Sequence, residues 1–169
     1  HVAGTIAAVR NNGQGITGVA PNAKIMALTG IGPAGGYSST LDKCITYAED
    51  NGAKIINNNW GPGTSNVIKN AISYAHAKGC IILFAAGNKN EEGSPSSAAG
   101  NPQTITVSAV DDRDKKANFS NFGELVDLSA PGVMITSLDH DSNGYRAKSG
   151  TSMACPHVAG SIALVVAQK

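Results

Sequence analysis

The sequence Ser149-Gly150-Thr151-Ser152-Met153-Ala154-Cys155-Pro156-His157-Val158-Ala159-Gly160 joins a short polar loop to an apolar segment that runs on to about residue 167. The apolar segment predicts a helix that starts near Met153, which places Ser152 at the junction. A serine there lies at the positive end of the helix dipole, beside backbone N–H groups that have no partner within the helix. Position alone leaves two interpretations, an ordinary N-cap or a nucleophile whose oxyanion is stabilised by nearby donors.

Length, composition and cysteine usage restrict the class of protein. The 169 residues are enough for one domain with a hydrophobic core, and we expect a single domain over residues 1–169. The chain has 41% hydrophobic residues and a net charge of +1, so we expect a soluble globular protein that binds neither nucleic acid nor membranes. The three cysteines, Cys44, Cys80 and Cys155, are odd in number and widely spaced, which predicts buried free thiols.

Alternating strand and helix patterns predict the fold class. Strands followed by helices imply a parallel sheet with right-handed crossovers, so we predict an α/β fold, mainly parallel, with helices on both faces. The loops after the strands then meet at one edge, where such sheets bind ligands. Predicted strands cover 23–29, 53–58, 80–86 and 104–110, with short extended pieces at 126–130 and 133–137; predicted helices cover 1–9, 40–51, 65–78 and 153–167; residues 139–148 are predicted to form a loop.

The sequence Ala85-Ala86-Gly87-Asn88 ends the predicted strand at 80–86. Asparagine after glycine is common in a simple turn. Alternatively, the Asn88 carboxamide donates to an oxyanion, where one donor of this kind stabilises the transition state by about 3–4 kcal/mol.

The stretch from Gly150 to Gly160 resembles the nucleophile motif of the subtilisin-like serine proteases, the subtilases, and residues 85–88 resemble the oxyanion motif of the same family. The resemblance implies that Ser152 is the nucleophile, that Asn88 is the oxyanion donor, and that the protein is secreted or extracytoplasmic. It also implies a polypeptide substrate held in extended form between two backbone edges. The substrate-binding residues implied are Ala34, Gly35, Gly36, Asn59, Trp60, Gly61, Ala86 and Gly87.

The general base of the family is the first histidine of a His-Gly-Thr-His-Val-Ala-Gly motif, and this chain opens at the second. The resemblance therefore implies that His1 is not the base and that the catalytic histidine and aspartate lie upstream. The chain is then the later part of a subtilase domain, incomplete at its N-terminus, with a missing N-terminal segment or a propeptide as its partner. The alternative is a non-catalytic fragment or pseudoprotease that binds extended peptides.

Two glycine-containing loops carry further expectations. Residues 11–16 resemble a calcium-binding loop of the family, with ligands from the Asn12 side chain and the carbonyls of Gln14 and Ile16; a plain turn is the alternative. Residues 30–36 match G-x-G-x-x-G, which allows a dinucleotide site. Pro33 and the late start of the next helix weigh against that site, and we expect no organic cofactor.

Two minor features complete the set. Lys89 places a positive charge at the rim of the predicted pocket, which suits acidic or neutral substrate side chains. The sequence Asp139-His140-Asp141 is a possible metal-ligand cluster, but one histidine between two acids in a loop is more typical of solvated surface.

Overall fold

A computed structural model describes residues 1–32, 35–61, 65–142 and 144–168. Four helices and six strands are formed by these residues. In chain order they are α1 (Val2–Ala7), α2 (Ser38–Asp50), β1 (Ile55–Asn58), α3 (Asn66–Ala77), β2 (Ile81–Ala85), β3 (Ile105–Val110), β4 (Leu128–Pro131), β5 (Ile135–Leu138), β6 (Tyr145–Lys148) and α4 (Thr151–Val166).

The central sheet is parallel and has the order β1-β2-β3-β4. Both faces of its inner strands β2 and β3 are buried. One face packs against α2 and α3 through residues such as Ile45, Ile72 and Phe84. The opposite face packs against α4 through residues such as Leu83 and Ala154. Burial on both faces explains why the strand sequences are almost continuously apolar. The predicted α/β fold with helices on both faces is confirmed.

The boundaries of α2 and α3 follow from local chemistry. The Ser65 hydroxyl caps α3 by accepting the backbone N–H of Ile68 at 3.4 Å. Gly52 and Gly79 follow the two helices with φ of +84° and +90°, a conformation that favours glycine. Both helices therefore begin and end within two residues of their predicted boundaries.

The predicted strand at residues 23–29 is wrong. This segment forms no strand among the described residues, and Ile25, Met26 and Leu28 are exposed. A strand requires backbone pairing with a neighbour, and the sheet ends at β1. A groove of about 1150 Å³ is lined by this segment and by β1, so the two do not pair.

The predicted loop at residues 139–148 is wrong in its second half. Tyr145–Lys148 forms β6, which pairs antiparallel with β5. The sequence shows no apolar alternation there because the first three residues of β6 are exposed. Of the predicted Asn143-Gly144 turn, Asn143 lies outside the described residues.

Helix α4 is continuous from Thr151 to Val166 and contains Pro156. Gly150 is its N-cap, so Ser152 is the second helical residue, and the interpretation of Ser152 as an N-cap is wrong. Cys155 is fully buried against the sheet, and this burial raises the pKa of its thiol to about 12. Within the described residues, no helix has the length and apolar character needed to span a membrane.

Candidate active site

A cavity of about 360 Å³ lies where the ends of β1 and β2 meet the start of α4. Its walls bring together residues that are distant in the sequence, as expected for the carboxyl edge of a parallel sheet. The predicted site residues that line it are Asn59, Trp60, Gly61, Ala86, Gly87, Asn88 and Ser152. These seven residues therefore line one cavity, while their chemical roles stay predictions.

The described residues of the other predicted substrate-binding edge, Gly35 and Gly36, do not line this cavity. Gly35 pairs with Gly32 through two backbone hydrogen bonds of 3.1 and 2.9 Å. Neither Gly35 nor Gly36 is among the described residues that line the cavity. Ala34 lies outside the described residues.

The side chain of Asn88 is held by Thr151. The Thr151 backbone N–H donates to Asn88 Oδ1 at 2.8 Å, and the Thr151 hydroxyl donates to the same oxygen at 3.0 Å. That hydroxyl also accepts the backbone N–H of Gly87 at 3.1 Å. Both bonds from Thr151 go to the carboxamide oxygen and neither uses the Asn88 NH₂ group; Asn88 itself is exposed.

Ser152 follows Thr151 directly and is half-buried. As the second residue of α4, it lies among the N–H groups that have no partner within the helix. The same short segment therefore supplies the serine hydroxyl and fixes the amide donor. Sequence reasoning singled out Ser152 and Asn88 but not Thr151, although a hydroxyl residue directly before the serine was a visible signal.

An aromatic pair forms one wall of the cavity. Trp60 packs edge-on against Phe84, with ring centroids 4.9 Å apart and an interplanar angle of 83°. The Trp60 indole N–H donates to Asn58 Oδ1 at 3.1 Å, and the buried Asn58 donates in turn to the carbonyl of Leu83 at 3.2 Å. The indole is thus fixed before any ligand enters.

The rim of the cavity carries both signs of charge. Lys89 and Glu91 both line it, and the Lys89 ammonium lies 4.0 Å from a carboxylate oxygen of Glu91. Both side chains are largely exposed, so this pair contributes little to stability. The nearby acid also offsets the positive charge that the sequence predicts for the rim.

The cavity that contains Ser152 has no histidine among its described lining residues to serve as the general base. All four histidines lie within the described residues, and none of them lines it. The His1 ring contacts the carbonyl oxygens of Ile135 and Arg146, which ties it to the β5–β6 hairpin. His157 contacts the Met153 carbonyl oxygen within α4 at 2.8 Å.

The loop predicted to bind calcium fits such a site only in part. Asn12 Oδ1 accepts the backbone N–H of Gln14 at 3.0 Å, so it serves the local turn. Residues 10–15 are exposed, and the loop from 9 to 18 contains no carboxylate. Hard cations prefer several oxygen ligands including carboxylates, so the loop needs a further ligand from elsewhere.

Asp139, His140 and Asp141 form a cluster of possible metal ligands within the described residues. Arg146 already lies between the two acids, with guanidinium nitrogens 3.4 Å from Asp139 Oδ2 and 3.8 Å from Asp141 Oδ2. The hydrogen bond from the Ser142 hydroxyl, with further help from Arg146, lowers the pKa of Asp139 below its ordinary value. The cluster is therefore explained as a set of ion pairs.

The chain belongs to the subtilase family, whose model matches residues 1–169. A thermophilic serine proteinase of Bacillus sp. (strain AK1) is 44% identical over 99% of this chain and 42% of that protein. An extracellular protease of Xanthomonas campestris pv. campestris is 39% identical over 98% of this chain and 32% of that protein. Among solved structures, a protease from Pseudoalteromonas arctica PAMC 21717 superposes with a TM-score of 0.91 at 33% identity, over 100% of this chain and 58% of that chain.

These comparisons cover nearly all of this chain but only part of each relative. The chain spans less than two thirds of the length of each of these proteins. Membership of the family is therefore established for this chain.

Proposed function

We propose that this chain is part of a serine endopeptidase in which Ser152 attacks the substrate carbonyl and Asn88 donates to the resulting oxyanion. The observation that carries the proposal is the contact between Thr151 and Asn88. It leaves the carboxamide NH₂ beside the segment that presents Ser152, on the wall of a shared cavity. A donor positioned before the reaction stabilises negative charge without reorganising in the transition state.

The catalytic histidine and aspartate of this enzyme are proposed to come from residues outside this chain. Support comes from the four histidines, none of which lines the cavity, and from the groove beside β1. The outer edge of β1 has no strand paired to it among the described residues, and an edge of this kind accepts a further strand. A preceding segment or a propeptide is the proposed occupant.

The reaction follows from these assignments. The Ser152 Oγ adds to the carbonyl carbon of the scissile bond while its proton passes to the external base. The carbonyl oxygen becomes an oxyanion that accepts from the Asn88 amide. Collapse expels the amine, which takes a proton from the base, and water then hydrolyses the acyl-enzyme in the same two stages.

The substrate is proposed to be an extended polypeptide. Asn59, Trp60 and Gly61 line one side of the cavity, and Ala86 and Gly87 line another, so residues from two loops enclose the space between them. Gly35 and Gly36 are kept as a proposed second edge.

Calcium at Asn12, Gln14 and Ile16 is a proposal that requires a further ligand. Secretion is proposed because a relative is named an extracellular protease.

The test is covalent labelling of the complete polypeptide that carries this chain. We expect a fluorophosphonate to modify Ser152 and to abolish peptide hydrolysis. Ser152→Ala removes both signals, whereas Ser161→Ala, which changes an exposed serine on the same helix, preserves them. A folded polypeptide that binds peptides but does not react at Ser152 would instead support the non-catalytic, peptide-binding alternative.

A further inference from the structure

The segment between β3 and β4 passes beneath the loop that carries Asn88 and contributes one buried carboxamide to it. Asn121 is 8% exposed. Its Oδ1 accepts the backbone N–H of Lys89 at 2.9 Å and that of Glu91 at 3.3 Å. Its Nδ2 donates to the carbonyl of Ala86 at 3.0 Å. One side chain therefore binds the backbone on both sides of Asn88.

The backbone of Asn121 reinforces this contact, since its N–H donates to the Gly87 carbonyl at 3.0 Å. The approach is so close that a Cβ on Gly87 would lie 2.5 Å from Asn121 Nδ2. Gly87 also has a φ of +107°, in the region that favours glycine. The glycine before Asn88 and the carboxamide beneath it are thus parts of one packing arrangement.

Given the proposed function, we propose that Asn121 is a positioning residue for the oxyanion donor. Thr151 holds the side chain of Asn88 from α4, and Asn121 holds the backbone before and after Asn88. Without Asn121, three backbone groups lose their partner while Thr151 still holds the carboxamide oxygen. The backbone then shifts beneath a tethered side chain, which moves the Asn88 amide away from the oxyanion.

The expected defect is kinetic. Oxyanion stabilisation acts in the transition state, so its loss lowers kcat and changes KM little. Displacement of a catalytic group by about 1 Å costs up to about 100-fold in rate. We therefore expect Asn121→Ala to lower kcat by about 10- to 100-fold, with KM changed less than about twofold.

The experiment measures hydrolysis by the complete polypeptide, normalised to fluorophosphonate-titrated sites so that misfolded protein does not count. The control is Ser108→Ala, which removes a buried hydroxyl that bonds to Ser129 at 2.7 Å on β3 and β4. It costs stability but leaves kcat per titrated site unchanged. If Asn121→Ala gives the same kcat per site as Ser108→Ala, the residue is only structural and the inference is refuted.

A second variant, Asn121→Asp, gives a readout that depends on pH and serves if the alanine variant does not fold. The charged form accepts both N–H groups but places an anionic oxygen against the Ala86 carbonyl. The protonated form donates to that carbonyl again. Burial and the facing Ala86 carbonyl raise the pKa of such a carboxyl, and the two N–H donors lower it. Because protonation restores the bond to Ala86, the kcat ratio of Asn121→Asp to wild type should rise as the pH is lowered.

A kcat ratio for Asn121→Asp that does not change with pH overturns the inference. A wild-type polypeptide that neither hydrolyses peptide nor reacts at Ser152 overturns the proposed function, and this inference with it. The wild-type measurement thus distinguishes the two failures.

Discussion

The hydroxyl of Thr151 bonds to two groups that belong to different parts of the site, so its removal has a calculable cost. Thr151→Val keeps the shape of the side chain and replaces the hydroxyl with a methyl group, which forms no hydrogen bond. The N–H of the half-buried Gly87 then loses its 3.1 Å acceptor, and a donor left unpaired away from water costs about 1–3 kcal/mol. The bond to Asn88 Oδ1 is lost as well, at about 1 kcal/mol. We expect Thr151→Val to lower the free energy of unfolding by about 2–4 kcal/mol.

The assay is urea unfolding of the complete polypeptide, followed by circular dichroism. The matched control is Thr5→Val, since Thr5 is also buried but its hydroxyl makes only a 3.4 Å bond within α1. The control should cost less than about 1 kcal/mol. Equal effects of the two substitutions, or a change below about 0.5 kcal/mol for Thr151→Val, would show that the hydroxyl does not hold the two groups together.

Three further predictions concern the packing and titration of the fold. Ile72→Ala should cost about 2–5 kcal/mol of unfolding free energy because Ile72 is fully buried, whereas Val67→Ala on the same helix should cost less than about 0.5 kcal/mol; urea titrations compare them. The Ser142 hydroxyl lowers the pKa of Asp139, so this carboxylate adds stability above about pH 4 that is lost as the pH falls through the folded-state pKa. Asp139→Asn should therefore make the melting temperature fall less steeply as the pH is lowered. A fall as steep as that of the wild type contradicts this. Burial raises the pKa of Cys155 to about 12, so iodoacetamide at about pH 8 should modify it in urea but not in the native protein, as mass spectrometry would show.

The sequence predicted most reliably those elements whose formation depends on local signals. Helices α2 and α3 have apolar stripes and terminal glycines, and both occur within two residues of their predicted ends. Residues 23–29 have an equally apolar sequence but form no strand, because a strand depends on a neighbour that local sequence does not reveal. Strand β6 was missed for the opposite reason, since a mostly exposed hairpin strand carries no apolar alternation.

The same distinction applies to the site. Ser152 and Asn88 stand in contiguous motifs, so the sequence indicated them without any knowledge of the fold. Asn121 lies 33 positions after Asn88 in an unremarkable segment, and only the fold brings its carboxamide under the loop. Asn121 is harder to predict because its partners are backbone atoms, whose positions residue type does not indicate.

Trp60 is the single tryptophan of the chain, and it stands at the wall of the cavity in contact with Phe84. All indole emission from these 169 residues therefore originates at the cavity. A peptide that enters the cavity changes the polarity around this ring, and acrylamide reaches it less readily once the peptide is bound. The molecule thus carries its own optical reporter for ligand occupancy, usable without any dye.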